Sequence, residues 1–204
     1  DLDMLEDLLQ PGSLALRPFF LKELADGALI ENIRGQGEGS ALNLLIEAMI
    51  SRESAKFGDQ AEAELSRSGL GHYVRTLMQE MARDLADSES DAISEVNLTW
   101  IVDLAIPEGT SDRVAAVLRH RASSIAFLTR DSKPGHFKFF HDRFADYFLA
   151  GSIVSTLSVG EISKAVSRGL FSFSFLDVLG TIFYVSAYRH TLTAFIDSCL
   201  RVLN

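Results

Sequence analysis

A mainly helical fold broken by one small β-hairpin is the class this sequence predicts, and three observations carry it. Only 4 Pro and 14 Gly punctuate 204 residues, so helices can run long without interruption. Apolar residues recur at three- and four-residue spacing through most of the chain. Between Ile125 and Phe140 that period gives way to two short apolar runs flanking Asp131-Ser132-Lys133-Pro134-Gly135, a run of turn-forming residues. Hydrophobic residues at 47% and charged residues at 23% are a globular balance, which excludes disordered and fibrous classes. Cys199 is the one cysteine, so no internal disulfide forms and a reducing cytoplasm is the expected setting.

The chain divides into three blocks, residues 1–68, 69–150 and 151–204. The first opens on Leu2, Leu5, Leu8 and Leu9 at helical spacing, with four acids and no base in its first ten residues. That is no signal-peptide start, and it suggests a chain that begins inside a larger structure. Pro18 stands at the head of a helix through Phe19, Leu21 and Leu24, where proline is tolerated. The polar run Glu31–Ser40 reads as a loop, with Ser40 capping a helix through Leu42, Leu45, Ile46, Met49 and Ile50 that Gly58 closes.

In the second block Tyr73–Leu85 is one amphipathic helix. Ser94 is expected to cap a second helix through Leu98, Ile101 and Val102, and Ser111 a third through Val114, Val117 and Leu118. The hairpin, with strands at Ile125–Thr129 and Phe137–Phe140, follows. Three helices and a two-stranded hairpin are the order of a winged helix. After it, Phe140, Phe144, Tyr147 and Phe148 share a helical face, and with Phe139 they read as core. Further helices continue to residue 204. Leu170–Tyr188 has nearly the length of a bilayer span, but Asp177, Gly180 and four Ser or Thr make it a buried helix instead. No membrane association is expected.

Catalytic signatures do not occur. The glycine cluster Gly35-Gln36-Gly37-Glu38-Gly39 lacks the lysine of a phosphate loop and carries a glutamate that repels phosphate. No glycine-framed nucleophile is present. His72, His120, His136, His141 and His190 are scattered, so no metal site and no catalytic residue is expected.

The net charge of −9 excludes a nucleic-acid footprint over the whole chain. Yet Ser111–Arg143 holds seven bases, Arg113, Arg119, Arg121, Arg130, Lys133, Lys138 and Arg143, against three acids. In a winged helix this island falls on the third helix and the wing. It is a candidate phosphate-binding patch, and the fold leaves DNA binding and docking of an acidic protein segment as alternatives.

Residues Phe137–Gly151 read FKFFHDRFADYFLAG. An aromatic strand, His141-Asp142-Arg143, then Phe144-x-Asp146-Tyr147-Phe148-Leu149-Ala150 resembles the end of the winged-helix domain in NACHT-type STAND ATPases, whose bacterial members carry H-D-R at this place. Many animal members have Ser or Thr where this chain has Arg143. Leu16-Arg17-Pro18-Phe19-Phe20-Leu21 looks like the proline motif opening the family's first helical domain, and Ile46–Glu53 its continuation. The resemblance implies a first helical domain, a winged-helix domain and the start of a helical region, all C-terminal to a nucleotide-binding core. ATP or ADP with magnesium would be held by that core, which supplies the ATPase activity this segment lacks. His141 would reach the terminal phosphate of ADP, and Pro18 would pack on the adenine. The core and further copies of the same protein are the implied partners, in bacterial signalling or antiviral defence.

Overall fold

The computed structural model describes residues 38–156, together with Leu179 and Leu200. The elements before Glu38 and the helices expected after Thr156, Leu170–Tyr188 among them, lie outside the described residues. The chain separates into two compact units, Asp1–Met49 and Ile50–Asn204, with the division inside the first described helix. That helix, α1, is Glu38–Ala55. It begins before Ser40, which is therefore a residue of the helix and not its cap. Gly35–Gly39 is likewise not all loop, since Glu38 and Gly39 are helical.

The larger unit continues with α2 (Asp59–Ser88), β1 (Ile93–Ser94), α3 (Glu95–Ala105), α4 (Asp112–Ala122), β2 (Leu128–Arg130), β3 (His136–Phe139) and α5 (Asp142–Thr156). Helix, strand, two helices and two strands in that order make a winged helix. Its sheet has three strands, not the expected two, in the order β1-β3-β2 and antiparallel throughout. Ile93 pairs with Phe137 and Leu128 with Phe139, so β3 is the central strand. β1 escapes a periodicity reading because two residues contain no alternation.

α2 is longer than Tyr73–Leu85 and is broken once. Ser66 has φ 61° and ψ 164°, outside the helical region. Its Oγ accepts from the Gly69 N–H at 3.2 Å, which re-caps the helix beyond the break. Ser94 and Ser111 cap α3 and α4 as expected, accepting from Asn97 N–H and Val114 N–H. Gly135, at φ 69°, makes the turn of the wing.

One ion anchors α4 to α2. Glu64 accepts from the Ser111 N–H and from the Ser111 hydroxyl, both at 2.6 Å. These two bonds, the hydroxyl first, lower the Glu64 pKa. A carboxylate depressed by folding stabilises the fold above its unfolded pKa, and that contribution disappears as pH falls through the folded value. Glu64→Gln should therefore lower stability near pH 7, with the loss shrinking as pH falls, so that the acid limb of the profile flattens. Urea midpoints measured from pH 3 to 7 check this, a range bracketing the usual carboxylate pKa of about 4.3.

The core of the larger unit forms where the inner faces of α2, α3, α4 and α5 meet the sheet. Leu70, Tyr73, Val74, Leu77, Met78 and Met81 of α2 are fully buried. Tyr73 lies edge-on to Phe57 and donates its hydroxyl to the Leu118 carbonyl at 3.2 Å. Burial drives the Tyr73 pKa upward, so the hydroxyl stays protonated and donating. Phe127 sits edge-on to both Phe144 and Phe148. Phe139, Phe144, Tyr147 and Phe148 are buried as expected, but Phe140 is 47% exposed. Phe140 precedes α5, so it follows the strand's parity and not the helix's: Phe137 and Phe139 point inward, and Lys138 and Phe140 outward.

The outer face of α3 is unusually apolar. Val96, Trp100 and Leu104 are 78%, 61% and 57% exposed. Trp100 is the sole tryptophan, so fluorescence reports this face alone. Acrylamide should quench the native protein nearly as strongly as the unfolded chain. Strong protection in the native state would contradict the exposure of α3.

Candidate functional site

His141 stands between the last residues of the β3 arm and the first turn of α5. Two bonds fix it there. The Phe144 N–H donates to the His141 carbonyl at 2.9 Å, and the Arg143 N–H donates to Nδ1 at 3.1 Å. The imidazole thus acts as the N-cap of α5, a place usually held by Ser, Thr, Asp or Asn. Because Nδ1 accepts, the proton of the neutral ring resides on Nε2. The Phe144 ring lies 6.1 Å away, inclined at 61°. The residue as a whole is half-buried, and Nε2 itself is buried.

Nε2–H is chemically a donor suited to an anionic oxygen, and the positive end of the α5 dipole favours the same charge. Around this turn the side-chain charge has the opposite sense, with Asp142 in the first turn and Asp146 one turn on. Pro18, the other residue implied in nucleotide sensing, lies outside the described residues.

Two bases of the island are held by acids of the fold. Arg119 on α4 binds Asp103 on α3 through a 2.6 Å Nε–Oδ1 contact. Lys138 on β3 pairs with Asp131 at 3.3 Å and lines a groove rich in carboxylates. Arg121 sits in the last turn of α4, Arg130 ends β2, and Lys133 occupies the wing. Arg143 contributes its backbone N–H to the His141 cap. The wing's Asp131 has a lowered pKa, chiefly because the backbone N–H groups of Lys133 and Ser132 donate to it.

Among the described residues no cluster of His, Cys, Asp or Glu could hold a metal ion. No described helix is long and apolar enough to cross a membrane. Comparison with protein families, with curated proteins and with solved structures finds no match. Sequence reasoning missed two features of this region. Nδ1 capping needs the exact start of α5, which periodicity does not give. The groove needs α2 and α5 side by side, a pairing of residues more than fifty positions apart.

Proposed function

We propose that this chain is the regulatory segment of a NACHT-type ATPase, a hinge that distinguishes ADP from ATP held by an upstream nucleotide-binding core. The observation that supports it best is the place of His141. The ring caps α5 through Nδ1, and this keeps the Nε2 proton as a donor at the head of a helix. In this reading Nε2–H donates to the terminal phosphate of ADP, and α5 moves with the winged helix as a unit. The third phosphate of ATP needs the space the ring occupies, so ATP favours the displaced position. ATP hydrolysis, the magnesium ion and the phosphate loop belong to the core, and this segment performs no chemistry of its own. Displacement of the winged helix frees surfaces for self-association, in signalling or antiviral defence.

The test uses the polypeptide that carries this segment with its nucleotide-binding core. His141→Ala should shift the ADP-loaded protein from its resting state toward assembled forms in sedimentation velocity. An unchanged distribution would remove the reading.

A second reading is duplex binding through α4, the helix that enters the major groove in DNA-binding winged helices. Exposed Arg113 on α4 and Arg130 at the wing favour it. Titration with duplex DNA at two salt concentrations discriminates: absence of binding at low salt eliminates it.

A further inference from the structure

A groove of about 730 Å³ runs along the seam of α2 and α5 and ends against β3. Each helix turns one stripe toward it at i, i+3, i+4 and i+7 spacing. From α2 and its C-cap come Ala82, Leu85, Ala86 and Glu89, and from α5 Asp142, Ala145, Asp146 and Leu149. Phe139 and the half-exposed ring of Phe140 close its end. The three alanines leave room for a third backbone to approach the floor closely.

The rim has one dominant sign. Glu89 and Asp91 stand on the α2 side, Asp142 and Asp146 on the α5 side, and Lys138 is the single base, already paired with Asp131. At the C-terminus of α2 the charge also acts against its own helix. α2 carries no base in its last turn, although a helix C-terminus favours cations. Glu89 occupies the left-handed position at φ 52° and ψ 38°, where glycine is the favoured residue.

We propose that this groove docks an amphipathic α-helix of another protein, with leucine-like side chains on the floor and lysine or arginine along both edges. Phe140, Ala86 and Ala145 are the accessible apolar groups of the floor, since Ala82, Leu85, Phe139 and Leu149 are buried, and the two acidic banks select basic flanks. A helix is specified because the floor is the seam of two helices, whose stripes offer ridges and grooves for a third. This inference does not depend on nucleotide sensing by His141.

The probe is a fluorescein-labelled helical peptide of about 18 residues, leucine on one face and lysine at its borders. Anisotropy should report saturable binding to the full chain. A serine-for-leucine peptide of equal charge should bind at least about tenfold more weakly. The double variant Glu89→Gly, Asp142→Asn should weaken the leucine peptide by about tenfold. Glycine relieves the left-handed backbone at position 89, so this loss cannot be ascribed to unfolding, and a thermal melt verifies it. The double variant Asp59→Asn, Glu108→Gln removes the same charge away from the groove and should leave affinity unchanged. Equal weakening by both double variants, or equal binding of both peptides, would overturn the proposal. So would self-association of the protein alone that the groove variants abolish, which would assign the groove to a second copy.

Discussion

Phe127→Ala is expected to destabilise the winged-helix unit by about 3–5 kcal/mol, the range for truncating a fully enclosed phenylalanine. The ring is 0% exposed and lies between the C-terminus of α4 and the start of β2. It meets Phe144 at 5.2 Å and 89°, and Phe148 at 5.1 Å and 86°, both edge-to-face. Phe148 in turn stacks on Phe139 at 6.1 Å. Removing the Phe127 ring thus deletes the hub through which α5 is joined to the sheet. The surrounding rings belong to two different elements, α5 and β3, and cannot collapse together into the space. Domains are stable by only about 5–15 kcal/mol, so the variant should lose a large part of its folded margin. Urea denaturation followed by far-ultraviolet circular dichroism measures it. Phe140→Ala is the internal comparison, since its ring is half-exposed, and its loss should stay under about 1 kcal/mol. Similar losses at positions 127 and 140 would contradict the strand parity of β3.

The second large effect divides the two duties of His141. As a cap, the imidazole satisfies the Arg143 N–H, and His141→Ala should cost about 1 kcal/mol of stability. Asparagine is a strong N-cap in its own right, so His141→Asn should keep nearly all of that stability. It nonetheless removes the ring and its Nε2–H. In the core-containing protein both variants should therefore lose ADP alike, although only alanine loosens α5. A purely structural histidine predicts the opposite, with asparagine rescuing nucleotide retention together with stability. Thermal melts and nucleotide content, measured on the same preparations, distinguish the two.

The fold was largely legible because its signals are local. Ser94 and Ser111 are caps followed by apolar residues at helical spacing, and both start the helices expected of them. The wing turn at Asp131–Gly135 follows from residue chemistry in the same way. What escaped depends on pairing across the chain. β1 becomes a strand only because Ile93 and Ser94 meet Phe137 and His136. Phe140 looked like core because it falls in phase with Phe144 and Phe148, but α5 begins at Asp142 and the strand's alternation governs. The alternation of Phe137, Lys138, Phe139 and Phe140 carried the correct answer had the helix start been known.

The candidate site was legible to a lesser degree. A motif can mark His141, yet nothing in a linear pattern assigns Nδ1 to a backbone N–H. The island of bases is contiguous in sequence, yet two of its members are held by acids of the fold. Arg119 is engaged by Asp103, sixteen residues earlier on a neighbouring helix, and Lys138 faces the acidic groove. Counting charges along the chain cannot see either arrangement, because both arise from helix packing and strand parity.

The most direct measurement is the ADP retained per protomer after extensive gel filtration of the core-containing protein, compared between the unaltered chain and His141→Asn. Near-stoichiometric ADP in the first and loss of about nine-tenths in the second is the predicted result, a weakening of roughly 1.4 kcal/mol or more. Equal ADP in both proteins, with α5 capped in each, would contradict a phosphate-binding role for the imidazole.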